Sequence, residues 1–351
     1  MKRRPNFKVA AIKADDDDEN TAEMKSSLAF TAGGSLLIKD FRLNLLGMKS
    51  GIGLDEIELG KELGRGASSV VLKARHIPTG QDIAVKKLLN IRDQQLRKQL
   101  VAEMQFLKPM LAESPCPFLV SLFDGYYDPK EDATFLVLEF CHFGALDNLI
   151  EKKGAPEEDA LSFIMRCILL GLSYLYRKSI VHRDMKPANC LVSQDGIVKI
   201  SDFGSSRRVD SDPYQAVSPE HMASTFTGTT RYLSPERLQG EPYSWPADIW
   251  CAGMIMLELA YARHPYEVCF GQDSSFIALI EYAVRRETPN MPAGFSSDAE
   301  DFKNLCLMKD PCQRPSSIFL VNEEVVEDSH PFILKYSDVT SDVILRWVGQ
   351  E

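Results

Sequence analysis

I-V-H-R-D-M-K-P-A-N-C-L-V-S-Q-D-G-I-V-K-I-S-D-F-G, from Ile180 to Gly204, sets short apolar runs against polar loops. Ile180-Val181 leads into a loop that holds His182, Arg183 and Asp184. Two further apolar runs flank Gln194-Asp195-Gly196, a turn signal between short strands. Asp202-Phe203-Gly204 opens a second polar loop. Asn189 stands five residues after Asp184, and Asp202 thirteen after Asn189. A carboxylate placed like Asp184 can accept a proton from a hydroxyl. An amide oxygen and a second carboxylate, from Asn189 and Asp202, are hard ligands of the kind magnesium takes. Lys186 offers a point charge for an anionic group.

On the N-terminal side, Ile57 to Arg75 reads as strand, glycine turn, strand. Its turn has the form Gly64-x-Gly66-x-x-Ser69-x-Val71, and glycine lets a backbone approach phosphates closely. Ile83-Ala84-Val85 forms an apolar run that ends on Lys86. Residues 92–109 have helical periodicity, with Leu96, Leu100, Met104 and Leu107 on one stripe. Glu103 lies on that helix, seventeen residues beyond Lys86, where it can pair with the lysine. Thr134 to Cys141 reads as a buried strand running into a linker. A long apolar-faced helix over 159–178 delivers the chain to the His182 loop. After Gly204 a polar segment rich in Ser, Thr, Asp and Pro runs to Tyr232, and Ser234-Pro235-Glu236 closes it. Asp248 opens a buried helix reaching Ala260. Helices are expected over 275–286 and 298–308, with a short tail helix over 338–351.

The composition bounds these readings. The chain has 351 residues, enough for two or three domain-sized units or one large two-lobed domain with tails. It is 44% hydrophobic and 26% charged, ordinary for a soluble globular protein. A net charge of −10 argues against general nucleic-acid binding, which wants a basic footprint. Eight cysteines are scattered without C-x-x-C or metal spacing, so reduced intracellular thiols are expected. The longest apolar run, Ile249 to Ala260, contains Glu258 and is too short to span a bilayer. No secretory signal is expected, because no apolar core follows the basic start. At that start, Lys2-Arg3-Arg4 precedes Phe7 and Val9, an alternating apolar pair. The acidic run from Asp15 to Glu19 cannot fold alone.

His182-Arg183-Asp184 with Asn189, then Asp202-Phe203-Gly204, resembles the catalytic and metal-binding loops of protein kinases, with Met185 where the general pattern has Leu. The resemblance covers residues 57–333. It implies an α+β bilobal kinase fold, with a small β-rich N-lobe (57–138), a hinge (139–144) and a larger α-helical C-lobe (145–333). Residues 1–56 would be an N-terminal extension and 334–351 a C-terminal tail. ATP and Mg2+ are the implied cofactors. The ATP site would comprise Gly64, Arg65, Gly66, Ala67, Ser68, Ser69, Val71, Ala84, Lys86, Leu138, Glu139, Cys141 and Asn189. Leu138 would stand as gatekeeper, and backbone groups of Glu139 and Cys141 would bond adenine. Lys86, held by Glu103, would grip the α/β-phosphates. Asp184 would act as base and Lys186 would reach the transferring phosphate. Asn189 and Asp202 would bind metal. Glu236 would pair with Arg314, and Asp248 would bond the catalytic-loop backbone.

A finer resemblance is to mitogen-activated protein kinase kinases. It rests on Met185 to Asn189, on F-T-G-T-T-R-Y-L-S-P-E-R-L-Q-G from Phe226 to Gly240, on Leu28 to Leu45, and on the basic start. It implies a dual-specificity kinase acting on Thr and Tyr of a downstream mitogen-activated protein kinase. Lys2, Arg3, Arg4, Phe7 and Val9 would dock that partner, and an upstream kinase kinase kinase would activate the chain. Candidate activating hydroxyls are Thr225, Ser224 and Ser218. The loop from Asp202 to Glu236 is longer than is usual in that family. The expected location is the cytoplasm, with nuclear shuttling left open. Two alternatives stand: a Ser/Thr kinase acting higher in the same cascade, and a pseudokinase scaffold.

Overall fold

In a computed structural model, the chain is described over residues 28–30, 36–38, 52, 54–66, 69–89, 116–128, 133–208, 228–270 and 276–349. It divides into two compact units, residues 1–115 with 120–140 and residues 116–119 with 141–351. The first is rich in strands and the second in helices, the α+β architecture expected of a kinase.

The first unit is built on a five-stranded antiparallel sheet in the order β3-β4-β5-β7-β6. Its strands are β3 (Ile57–Arg65), β4 (Ser69–His76), β5 (Gln81–Leu89), β6 (Leu122–Asp128) and β7 (Ala133–Glu139). Side chains alternate between faces, so the register sorts them. Ala74, Ile83, Val85, Ala133, Phe135 and Val137 pack on one face with Ile52 as a buried core. Val71 pairs Lys86, and Ala84 pairs Leu138, so these four share the opposite face. A separate hairpin, β1 (Leu28–Phe30) and β2 (Leu36–Ile38), precedes the sheet. The expected helix over 92–109 lies outside the described residues.

The second unit opens with β8 (Gly144–Ala145), α1 (Leu146–Lys153) and α2 (Glu158–Arg177). By length and composition α2 could cross a bilayer, but 72% of that window is buried inside the protein. It is the central core helix, apolar almost all round because it is packed almost all round. Short strands β9 (Ile180–Val181), β10 (Cys190–Val192), β11 (Val198–Ile200) and β12 (Arg207–Arg208) follow. The remaining helices are α3 (Pro235–Leu238), α4 (Pro246–Tyr261), α5 (Pro265–Phe270), α6 (Phe276–Ile280), α7 (Ser297–Cys306), α8 (Ser317–Leu320), α9 (Pro331–Leu334) and α10 (Asp342–Val348). The helix expected over 275–286 changes character midway, α6 passing into a π-helical turn over Glu281–Arg285.

The tail differs most from expectation. Among the described residues helix is confined to Asp342–Val348, so it begins later than the expected 338. The carbonyls of Tyr336, Ser337 and Val339 are taken by the Arg166 guanidinium, so the chain before Asp342 runs as turns.

Candidate active site

The loop between β9 and β10 is fixed from below by Asp248 at the start of α4. Its carboxylate accepts the backbone N–H of His182 at 2.7 Å and of Arg183 at 2.9 Å. Complete burial pushes the Asp248 carboxyl up, and His182, the two N–H donors and Arg237 oppose that. His182 is fully buried; its Nδ1 accepts the Asp184 N–H, so Nε2 donates to the Ser201 carbonyl at 3.0 Å. The ring also meets buried Phe203 edge to face, with centroids 5.4 Å apart. One histidine thus ties the Asp184 loop to the Asp202 loop.

Asp184 is the focus. Lys186 Nζ donates to its Oδ2 at 2.9 Å. Asn189 Nδ2 donates to the same Oδ2 at 3.1 Å and to the Asp184 carbonyl at 2.7 Å. Oδ1 is buried with no partner among the described residues. Most buried polar atoms in folded proteins have a partner, and a catalytic role is one reason for an exception.

Because the Asn189 amide nitrogen is committed to Asp184, its oxygen is the atom turned to other use. Asp202 is exposed and adopts φ 61°, ψ 74°, and Arg183 has φ 74°. Non-glycine residues rarely hold such φ values, and they gather at functional sites. One carboxylate and one amide oxygen form the hard donor pair that suits Mg2+, which completes its shell with water and phosphate. Among the described residues no group of three or more His, Cys, Asp or Glu could hold a metal alone.

In the strand-rich unit, Lys86 is buried on β5. Glu139 N–H donates to Ser121 O at 2.8 Å, so that amide is not offered to a ligand. Cys141 is buried, which suits a small linker side chain better than a reactive thiol. Gly66 N–H donates to Ser69 O at 2.8 Å, closing the glycine turn. Ala67, Ser68, Glu103, Ser218, Ser224, Thr225, Lys2, Arg3, Arg4, Phe7 and Val9 lie outside the described residues.

Sequence reading missed a cluster that folding assembles. Arg183 Nε donates to Tyr243 OH at 2.8 Å, and Arg237 donates to the Arg183 carbonyl at 2.8 Å while its guanidinium lies 4.7 Å from the Tyr243 ring. Burial lowers the Arg183 pKa; Tyr243 opposes this, and positive Arg207 and Arg237 add to it. Arg183, with the positive charges of Arg207 and Arg237 close by, makes a ready anion site. Only the residue order after Ser234-Pro235-Glu236 hinted at Arg237. The pairing expected of Glu236 and Arg314 is present as a buried, two-bond ion pair at 3.0 and 3.2 Å.

Comparison with known proteins gives a consistent picture. The sequence model of the protein kinase domain matches residues 57–332. Mitogen-activated protein kinase kinase 2 of Arabidopsis thaliana is 36% identical over 290 residues, covering 81% of this chain and 74% of that protein. Mitogen-activated protein kinase kinase 3 of the same plant is 34% identical over 291 residues, 82% of this chain and 52% of its own length. Mitogen-activated protein kinase kinase 1c of Physcomitrium patens is 31% identical over 360 residues, 96% of both chains.

Proposed function

This chain belongs to the protein kinase family and is of the mitogen-activated protein kinase kinase type, and from that premise we propose that it phosphorylates Thr and Tyr of a downstream mitogen-activated protein kinase, using ATP and Mg2+. The observation that carries the chemistry is Asp184. One of its oxygens is held by Lys186 and Asn189, and the other is buried with no partner among the described residues. That second oxygen is poised to orient an acceptor hydroxyl and take its proton. Lys186, fixed against Asp184, places a positive charge beside the transferring group. Asp202 and Asn189 would hold magnesium, which when bound offsets the charge of the nucleotide phosphates. Lys86 would bind the α/β-phosphates and Glu103 would hold it. Val71, Ala84 and Leu138 would give the base an apolar wall.

The reading of activation is that a phosphate on Thr225 or Ser224 pairs with Arg183, and Arg207 and Arg237 reinforce it. A charge-assisted pair of that kind can order a loop. Docking of the partner kinase is assigned to Lys2, Arg3, Arg4, Phe7 and Val9.

The test is phosphorylation of a panel of catalytically dead cascade kinases, with the modified residues mapped. Phosphate on both Thr and Tyr of the terminal kinase is expected. Phosphate on a kinase kinase instead would favour the upstream alternative, and no transfer to any would favour a scaffold.

A further inference from the structure

The residues that follow the kinase domain do more than end the chain. We propose that residues 335–349 are a strap that positions the β10–β11 hairpin, with Arg166 as its anchor and the Gly196 turn as its point of contact. The inference rests on the assignment of Asn189 and Asp202 to magnesium.

The hairpin is slight. It pairs Cys190 with Ile200, Leu191 with Lys199 and Val192 with Val198, and β8 adds two residues alongside. So small a ladder does not hold its own orientation. Both candidate metal ligands sit at its open end, Asn189 just before β10 and Asp202 two residues beyond β11. That end is tied by Ser201, whose N–H and hydroxyl both donate to Asn189 O, at 2.8 and 3.0 Å.

The closed end is held by the strap. Gly196 has φ 74°, and a Cβ there would meet Ser341 O at 2.7 Å, Ser341 Cβ at 3.1 Å and Leu345 Cγ at 3.2 Å. The turn is therefore pressed against the start of α10 with no room for a side chain.

The strap is fastened along α2. Arg166 Nη1 donates to Tyr336 O at 3.3 Å and Ser337 O at 2.6 Å, and Nη2 to Val339 O at 2.6 Å. Three main-chain carbonyls fix the register of the tail in a way no apolar contact does. Glu158 accepts Lys335 Nζ at 3.3 Å and Tyr336 OH at 3.1 Å, and also takes Ser296 N–H and Oγ at 2.7 and 2.6 Å. Trp347 Nε1 donates to Gly154 O at 3.3 Å, beyond the end of α1. Force on the hairpin turn is thus carried to α1, α2 and the N-cap of α7. The contacts described for the strap do not include Asp184 or Lys186, so its route to the chemistry is through the ends of the hairpin.

A purely structural tail would change how much protein is active and leave metal affinity alone. A positioning strap changes metal affinity. The full chain is compared with Arg166→Met, which keeps an apolar stem and removes three bonds, and with Gly196→Ala, which drives a methyl at Ser341 O. Four quantities are read: Mn2+ affinity in the presence of ADP, the Mg2+ concentration giving half-maximal transfer, KM for the protein acceptor, and amide exchange over residues 190–200. Both variants should weaken Mn2+ binding and raise the Mg2+ requirement about tenfold, the low end of what outer-shell support is worth. KM for the protein acceptor should stay within about twofold, since docking is proposed at residues 2–9 and not at the hairpin. Exchange at Val198 and Ile200 should quicken. Folded variants with the parent's Mn2+ affinity overturn the strap. If Arg166→Met fails to fold, Gly196→Ala decides alone, with Leu345→Ala beside it. A parent chain that binds no Mn2+ with ADP removes the metal assignment itself, a different result from variants that match a competent parent.

Discussion

Glu236 and Arg314 stand 78 residues apart in the chain and meet with side chains 2% and 0% exposed. Arg314 also donates to Pro246 O and Met308 O, so its charge is satisfied from several sides. Removing one partner of such a pair leaves a buried charge, at a cost of about 3–5 kcal/mol. Glu236→Ala should therefore lower Tm by about ten degrees by calorimetry. Arg314→Met added to it should recover part of the loss, because the stranded guanidinium is gone. A second residue prediction concerns Glu258, which accepts Tyr232 OH at 2.6 Å. Burial pushes its carboxyl up to about 7; Asp147 and Glu267 add to this, and the Tyr232 bond and Arg231 oppose it. The folded chain therefore holds a proton that the unfolded chain has lost once pH exceeds the ordinary glutamate range. Stability from this group is greatest at low pH and falls as pH rises toward 7. Glu258→Gln cannot ionise and lacks that slope. Melting curves from pH 5 to 8 should show the variant gaining on the parent by a few degrees as pH rises. A constant gap would show that Glu258 does not titrate there.

At the scale of elements, α2 and β11 approach more closely than ordinary side chains allow. A Cβ at Gly171 would lie 2.8 Å from Ile200 Cδ1 and 3.1 Å from Phe118 O. Phe118 O accepts the Ile200 N–H at 2.9 Å, so the strand cannot simply retreat. Gly→Ala inside an exposed helix usually gains roughly 1 kcal/mol. Here the sign should reverse, with Gly171→Ala costing about 1–3 kcal/mol through overpacking. Ile200→Val in the same chain should restore part of it, as denaturant midpoints would show. Such closeness is not legible in sequence, where Gly171 is only a gap in an apolar helix. The helix itself was legible, because its periodicity depends on local spacing. The hairpin was too, since Gln194-Asp195-Gly196 between apolar runs leaves few other folds. What escaped depends on contacts distant in the chain: the tail carbonyls taken by Arg166, the π-helical turn after Ile280, and the arginines gathered on Tyr243.

At the scale of the whole molecule, the candidate chemistry was readable because it is concentrated in one stretch. His182, Asp184, Asn189 and Asp202 lie within 25 residues and fold on one another through bonds local to that stretch. Specificity is spread more widely, and its proposed carriers sit at the N-terminal end and in the segment after Gly204. Four cations (Lys2, Arg3, Arg4 and Lys8) and an alternating apolar pair in residues 2–9 have the chemistry of an extended docking peptide, which presents alternate side chains to one surface. The acidic run from Asp15 would be repelled by the acidic patch those cations seek, so the proposed contact would be confined to the first dozen residues. A segment that orders on binding gives modest affinity, roughly micromolar, and a charge-led contact weakens with salt. Deleting residues 2–9 should then raise KM for the partner kinase and leave kcat unchanged, because the binding lost is shared by ground and transition states. Turnover on an unrelated acceptor protein, and ATP affinity, should match the parent. The salt dependence of KM expected of the parent should vanish in the deletion, which separates lost docking from a general loss of activity. An unchanged KM at low salt would show that residues 2–9 take no part in choosing the substrate.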